Sequence, residues 1–208
     1  MKKDRLLTLC SHHPYFDLAF LLQISGECSA IINQNVKRWL ADGTLLPLRR
    51  GTYALAEHLR KAEISMPRLA NDLYPPSYLT DVWALSFYGL IPDVAREYTS
   101  ATMRRPQSFA NLLGAFSYRH MNAARFQGFE TVQTTTTDFR CATPEKALLD
   151  HWYWAKGEWT DVRMREMRLQ NLEQLDLGKL EAATRRMGKP RIDRAYAAFR
   201  QMARKEDL

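Results

Sequence analysis

Side chains of the kinds that recognise nucleic acids are concentrated in residues 1–62. When residues 29–42 are projected as a helix, Ile32, Val36 and Trp39 fall on one apolar face. Amide, guanidinium and ammonium groups fall on the other face, and such groups contact base edges and phosphates in the major groove of DNA. This pattern predicts a DNA-reading helix whose contacts are made by Ser29, Asn33, Gln34, Asn35, Lys37 and Arg38.

A basic hairpin is predicted directly after this helix. The pattern of Leu45–Leu55 predicts two short strands joined by a turn at residues 49–51. Arginines at the tip of such a hairpin can contact the phosphate backbone or the minor groove. We therefore predict further DNA contacts at Arg49, Arg50 and Thr52. The alternative interpretation is a small helical subdomain with an exposed basic turn.

Three helices are predicted to position these side chains. Asp17 is a suitable N-cap for a helix over residues 18–24, and Gly26 is a suitable residue to end it. Ser29 is predicted to cap a second helix that runs to about Asp42, and residues 1–12 are predicted to supply a helix before both. Helix, turn, helix and basic hairpin in this order is the winged helix-turn-helix pattern, which we place in residues 1–62.

Composition and charge exclude several classes of protein. The chain has 208 residues, of which 46% are hydrophobic, so it has enough apolar material to avoid intrinsic disorder. The formal charge of +7 comprises +4 in residues 1–62, −1 in residues 63–175 and +4 in residues 176–208. The longest apolar run, residues 18–22, is far shorter than the ~20 residues that a membrane span needs.

The N-terminus and the cysteines indicate a compartment. The first residues lack the pattern of a signal peptide, because charged and histidine residues interrupt the apolar stretch. Cys10, Cys28 and Cys141 are too scattered for a disulfide framework. We therefore expect a cytoplasmic protein with free thiols and no association with a membrane.

Residues 63–208 are predicted to form a second domain of mixed α/β character. A helix is predicted at about residues 80–88, and β-branched and alternating stretches in residues 96–142 predict a small, mostly antiparallel sheet. Thr143 and Pro144 are typical of a helix start, and two basic helices are predicted to follow at about residues 179–187 and 191–204. The predicted fold class is therefore α+β, with a helical C-terminus.

Motifs of catalysis and metal binding are not evident. The glycines are never closer than eight residues apart, so neither common phosphate-binding glycine motif can be written. Cys10, His12 and His13 lack a second pair of ligands downstream. Cys141 could pair with a histidine, but strand alternation favours a buried thiol. We expect no catalytic residues, no cofactor and no metal.

Four sequence motifs occur together between residues 67 and 150. They are Pro67-x-Leu69-Ala70-Asn71-x-Leu73-Tyr74, Trp83-Ala84-Leu85-Ser86-x-Tyr88-Gly89, Tyr98-Thr99-Ser100-Ala101-Thr102 and Thr143-Pro144-Glu145-Lys146-Ala147-Leu148-Leu149-Asp150. With the N-terminal pattern, they make roughly residues 15–155 resemble the AbiEi-type antitoxins of type IV toxin–antitoxin systems.

The resemblance implies an N-terminal winged helix and, in residues 63–208, a C-terminal antitoxin domain. It implies repression of the protein's own operon at inverted repeats and neutralisation of a nucleotidyltransferase-like toxin, often without a stable complex. The implied partners are double-stranded operator DNA and that toxin, bound by a monomer or homodimer that acts as a dimer or cooperatively on DNA. Glu27 departs from expectation, because an acid beside the presumed DNA backbone contact could weaken it.

Arginines in the second half of the chain form a possible antitoxin surface, and a solvated helix face is the alternative. They are Arg104, Arg105, Arg163, Arg165, Arg185 and Arg186. Two other functions remain open at this point. One is a stand-alone winged-helix regulator with a ligand-sensing or dimerising C-terminal domain, and the other is a module that neutralises a toxin by direct contact.

Overall fold

The computed structural model describes residues 1–205 and has the mixed α+β character that the sequence predicts. Its N-terminal part contains three helices and a small three-stranded sheet, in the order α1 (Lys3–Cys10), β1 (Phe16–Asp17), α2 (Leu18–Ser25), α3 (Ser29–Ala41), β2 (Leu45–Arg49) and β3 (Thr52–Leu55). The predicted helix within residues 1–12 and the predicted hairpin are therefore confirmed.

The two ends of α2 are formed by the capping residues that the sequence predicts. The Asp17 carboxylate accepts a hydrogen bond from the Phe20 N–H at 2.7 Å, as an N-cap does. Gly26 ends the helix at φ 69°, in the left-handed region that glycine enters without a steric cost. Ser29, in contrast, is not the cap of α3. Cys28 holds the N-cap position with an extended backbone, and Ser29 is the first helical residue.

The small sheet is antiparallel, with strand order β1-β3-β2. In it Phe16 pairs with Tyr53, and Leu45 pairs with Leu55. The short strand β1 was not predicted, because two residues are too few to show an alternating pattern.

The rest of the chain builds a six-stranded sheet with helices against it. Its strands are β4 (Ser77–Leu79), β5 (Glu97–Thr102), β6 (Gln107–Asn111), β7 (Gly114–His120), β8 (Phe129–Gln133) and β9 (Asp138–Ala142). Its helices are α4 (Met66–Leu73), α5 (Asp81–Phe87), α6 (Pro144–Trp154), α7 (Asp161–Glu166), α8 (Leu177–Met187) and α9 (Pro190–Lys205). Short 3₁₀ helices occur at Glu57–Leu59, Ala123–Arg125 and Leu172–Gln174.

This second sheet is larger than predicted, and it is mixed rather than mostly antiparallel. Its order is β6-β7-β5-β4-β9-β8, with parallel pairing between β5 and β7 and between β4 and β9. The parallel pairs arise because β6 reverses the chain between β5 and β7, and because β9 returns from far along the chain to lie beside β4. Such pairings leave no local signal in the sequence.

Helix starts in the second part match the expected capping chemistry. Thr143 Oγ1 accepts a hydrogen bond from the Lys146 N–H at 3.3 Å, and Pro144 is the first residue of α6. Within residues 1–205, no helix is long and apolar enough to cross a bilayer.

The buried apolar side chains form two clusters, and the β2–β3 hairpin contributes to both. Leu45 and Leu55 pack with α1, α2 and α3, whereas Leu48 and Ala54 pack with the large cluster around the six-stranded sheet. The hairpin therefore anchors the N-terminal part to the rest of the chain. Tyr15 adds a second contact, because it packs against the large cluster and its hydroxyl donates to Asp72 Oδ2 at 2.7 Å.

Candidate nucleic-acid interface

The outer face of α3 is polar and open to solvent. Ile32, Val36 and Trp39 are buried in the N-terminal cluster, as helical spacing predicts. The polar side chains of Ser29, Asn33, Gln34, Lys37 and Arg38 are exposed, and Ile31, which is 46% exposed, lies beside Gln34 on the same helix. The exposed polar side chains offer amide, hydroxyl, ammonium and guanidinium groups to solvent.

Asn33 and Asn35 differ from the other predicted contacts on α3. The Asn33 Nδ2 donates back to the Ser29 carbonyl at 2.8 Å, so part of its hydrogen-bonding capacity is used within the helix. Asn35 is buried, so the prediction that it lies on the outer face is wrong. Its Oδ1 accepts from Arg38 Nη2 at 3.0 Å, and its Nδ2 lies 3.5 Å from a Glu27 carboxylate oxygen.

Glu27, the unexpected acid in the turn between α2 and α3, is held in an ion pair. Its carboxylate contacts the α-ammonium of Met1, and its backbone N–H donates to Ser25 Oγ at 3.2 Å. The negative charge beside α3 is therefore balanced within the N-terminal part. Through Asn35, the same carboxylate also helps to hold Arg38 in place.

The two hairpin arginines have different environments. Arg49 donates a hydrogen bond to the Leu73 carbonyl at the end of α4, and its guanidinium carbon lies 5.3 Å from the centre of the Tyr74 ring. Arg50, at the turn, is exposed. Thr52 is half-buried in β3 and pairs with Arg49 across the hairpin. Arg50 is therefore the predicted hairpin contact that is open to an outside partner.

Arg104 and Arg105, predicted separately, lie beside this hairpin. The guanidinium carbon of Arg104 is 4.2 Å from the centre of the Tyr74 ring, on which Arg49 also packs. The Tyr74 hydroxyl donates to the Arg105 carbonyl at 3.2 Å. A groove of about 750 Å³ runs between the hairpin and β6, with Arg49, Arg50 and Arg104 in its walls.

This groove has the electrostatic character of an anion-binding surface. Within residues 1–205, no carboxylate lies within ion-pair distance of the guanidinium groups of Arg49, Arg50, Arg104 or Arg105. Uncompensated arginines on one surface attract phosphate groups. The structure thus brings together two sets of arginines that are more than fifty positions apart in the sequence.

The other predicted antitoxin arginines are spread over α7 and α8. Arg163 donates to the carbonyls of Lys156 and Glu158 and packs over the Trp159 ring, so it holds a loop together. Arg185 forms an ion pair with Glu181. Arg165 and Arg186 are exposed. Arg163 and Arg185 are therefore engaged by groups of the same chain, whereas Arg165 and Arg186 are open to an outside partner.

Sequence reasoning missed a polar cluster at the start of α5. Asp81, which is buried and has φ 58°, lies 2.7 Å from Arg119 Nη1 and 2.6 Å from His151 Nδ1. Burial by itself raises the pKa of the Asp81 carboxyl, but the hydrogen bond and charge of His151 and the charge of Arg119 outweigh burial and lower it. A backbone in this region for a residue other than glycine is strained, and the contacts with Arg119 and His151 hold Asp81 there.

A second buried charge lies on α6, next to His151. Asp150 is fully buried and accepts from Lys146 Nζ at 2.5 Å, Thr80 Oγ1 at 2.8 Å and Tyr78 Oη at 3.0 Å. Burial raises the pKa of the Asp150 carboxyl, while Lys146 and the hydroxyl donors act in the opposite sense. This network ties α6 to β4 inside the core.

The three cysteines are free, and two of them are inaccessible. Cys10 and Cys141 are buried, and burial raises their thiol pKa values to about 11 and about 12. The expectation that Cys141 is a buried thiol is confirmed. Cys28, at the N-cap of α3, is exposed.

Comparison with known proteins does not identify a family for this chain. No protein-family model matches the chain, and no curated protein matches it.

Proposed function

We propose that this protein is an antitoxin that also represses transcription of its own operon, as the AbiEi-type proteins it resembles do. In this proposal residues 1–62 are a winged helix-turn-helix module, in which α2 and α3 form the helix-turn-helix and the β2–β3 hairpin is the wing. Residues 63–208 counter a nucleotidyltransferase-like toxin, and the protein acts in the cytoplasm.

The observation that carries the DNA-binding part is the exposed polar face of α3. Gln34 supplies an amide for adenine, whereas Lys37 and Arg38 supply positive charge for phosphates. Arg50, at the exposed turn of the hairpin, supplies a phosphate contact on the same N-terminal part. A helix that packs by its apolar face and exposes polar groups on the other side can present those groups to a major groove.

The basic groove beside the hairpin supports the same partner. Arg104 and Arg105 belong to the second part of the chain but lie next to the wing. In the proposal they contact phosphates outside the half-site that α3 reads. Operator binding is then strongly salt-dependent, because each neutralised phosphate releases counterions.

DNA binding is tested with the full-length protein and the DNA upstream of its own gene, by fluorescence anisotropy at several salt concentrations. We expect specific binding that weakens steeply with salt, and each lost phosphate contact should flatten the slope of log K against log[salt] by about one unit. A double variant, Lys37→Ala with Arg50→Ala, should bind weakly, while Lys189→Ala, an exposed lysine on the other part of the chain, should bind as the wild type does. Unchanged binding by the double variant would refute the α3 and wing assignment.

Antitoxin activity is tested by growth rescue when the full chain is co-expressed with the product of an adjacent nucleotidyltransferase-like reading frame. We expect rescue by the wild type and by the DNA-binding double variant, because the proposal assigns neutralisation to residues 63–208. Absence of rescue by the wild type would leave a stand-alone regulator. Stable co-purification of the two products would instead favour neutralisation by direct contact.

A further inference from the structure

A cavity of about 250 Å³ lies in the second part of the chain, away from the hairpin and its groove. Its walls come from the segment around the 3₁₀ helix Ala123–Arg125, from the first turns of α6 and from one face of α8. No residue of the DNA-binding proposal lines it. The cavity therefore needs an explanation of its own.

The floor of the cavity is apolar. Leu149 comes from α6, while Ala183 and Met187, one helical turn apart, come from α8. The stem of Lys146 also lies along the wall, and Gly128 lies against it at φ 80°, where a Cβ would come within 3.3 Å of that stem. Apolar walls of this kind favour an apolar body in the ligand.

Several charged side chains at the cavity already have hydrogen-bond or ion-pair partners within the chain, and this limits their capacity to bind a ligand. Lys146 Nζ is paired with Asp150, and the Arg125 guanidinium donates to the Met187 carbonyl. Glu145 uses one carboxylate oxygen to accept from the Asp176 N–H at 2.9 Å. The cations on α8 that line the cavity are Lys179 and Arg186.

Of the cations at the cavity, these two are the most available to a ligand. Lys179 Nζ is 3.7 Å from Asp176 and its side chain is 75% exposed, so this ion pair is loose. Arg186 forms no ion pair with any carboxylate in residues 1–205. They are seven residues apart on α8, which places them about 10 Å apart along the helix axis. Lys179 lies one turn before Ala183, and Arg186 lies between Ala183 and Met187.

We propose that this cavity binds a small organic anion whose apolar body is about one aromatic ring in size. A cavity of roughly 150 Å³ holds benzene, so about 250 Å³ holds a ring with a short anionic substituent. The ring lies on Leu149, Ala183 and Met187, and the anionic group is bound by Arg186 or Lys179 at one end. Because the ligand contacts both helices, it stabilises the packing of α8 against α6. The proposal does not depend on DNA or toxin binding.

The experiment uses para-trifluoromethylbenzoate as the probe and follows its fluorine NMR line width as full-length protein is added. The neutral para-trifluoromethylbenzamide serves as the uncharged counterpart. Probe concentrations up to about 5 mM are used, because a ligand of about 13 non-hydrogen atoms binds detectably in that range. Ala183→Trp fills the cavity, and Ala182→Trp, on the neighbouring exposed position of α8, is its matched control.

We expect the benzoate to broaden with the wild type and with Ala182→Trp, and to lose broadening with Ala183→Trp. Arg186→Gln together with Lys179→Gln should weaken benzoate binding about tenfold, to the level of the benzamide with wild-type protein. Because these two positions are at the surface, that variant keeps the test valid even if Ala183→Trp does not fold. The proposal is overturned if the benzoate does not bind the wild type. It is also overturned if Ala183→Trp folds and binds normally, or if benzoate and benzamide bind equally well.

Discussion

The guanidinium of Arg49 donates a hydrogen bond to the backbone carbonyl of Leu73, the last residue of α4. The predicted wing thus has one arginine that holds it to the second part of the chain, and one, Arg50, that is exposed. Neighbouring residues of the same type therefore have separate roles, and these roles can be separated by substitution.

Arg49→Ala should destabilise the protein by about 1–2 kcal/mol, because it removes a hydrogen bond and a contact with the Tyr74 ring. Arg50→Ala should change stability by less than about 0.5 kcal/mol. Urea unfolding measures both. The assignment of roles fails if the two variants lose the same stability, or if Arg50→Ala is the less stable one.

Gln34→Ala and Lys37→Ala should affect DNA binding in different ways. Loss of the Gln34 amide should relax base choice at one position of the operator by about 1–3 kcal/mol, with an unchanged salt slope. Loss of the Lys37 ammonium should weaken binding to all sequences alike and flatten the salt slope by about one unit. Anisotropy titrations against a panel of single-base operator variants distinguish the two. If Lys37→Ala changes base preference, the proposed orientation of α3 in the groove is incorrect.

Asp81 should make the protein sensitive to acid. The pKa of its carboxyl is lowered in the folded state, so its stabilising contribution is present above the unfolded-state pKa of about 3.9 and is lost as pH falls through the lower folded value. Asp81→Asn keeps a side chain that tolerates the positive φ but carries no charge. The variant should be less stable than the wild type at pH 7, and the difference should shrink below about pH 4.

A matched control for Asp81 is Asp93→Asn, an exposed carboxylate paired with Arg168 at the surface. This variant should stay within about 0.5 kcal/mol of the wild type at every pH, because surface ion pairs contribute little. Thermal unfolding across the pH range provides the comparison. Equal pH profiles for Asp81→Asn and the wild type would show that the Arg119 and His151 contacts do not stabilise the charged form.

The buried pair Lys146–Asp150 should behave as a coupled unit. Either Lys146→Met or Asp150→Asn alone should cost about 3–5 kcal/mol, since a single removal leaves a polar or charged partner buried without compensation. The double variant should cost less than the sum of the two, with a coupling energy of about 1–3 kcal/mol. A double-mutant cycle in urea measures this, and additive effects would argue against a charged pair.

Thiol labelling should discriminate the cysteines by burial. In the native protein a disulfide reagent such as Ellman's reagent should react rapidly with Cys28 and slowly with Cys10 and Cys141, whose thiolates are disfavoured by burial. Denaturant should make all three react. Cys28→Ser should abolish the fast phase, and a fast phase that persists in this variant would contradict the burial of the other two.

Features that depend on a few neighbouring residues could be predicted from the sequence. They include most of the helices that position the candidate site. The Asp17 cap, the Gly26 stop and the Thr143–Pro144 helix start each act over a few residues, so one stretch of sequence is enough to recognise them. The apolar spacing of Ile32, Val36 and Trp39 likewise fixed which side of α3 is buried.

Features that depend on distant partners could not be predicted. Asp81 and His151 are seventy residues apart, and Arg49 reaches Leu73 only after the chain has folded. Asn35 is polar at an angle between the two faces of α3, and its burial follows from the partners that Glu27 and Arg38 provide. The parallel strand pairs could not be predicted for the same reason, because the sequence of one strand does not show which distant strand it pairs with.

The contact between β2 and β6 should reduce the tendency of the protein to aggregate at high concentration. Each is an edge strand of its own sheet. The Asn111 side chain of β6 donates a hydrogen bond to the Leu48 carbonyl of β2 at 2.9 Å. Unpaired outer strands are templates on which other chains can add and aggregate. Here each sheet shields the open side of the other. Of the remaining outer strands, β1 has only two residues, and β8 carries the exposed carboxylate of Glu130.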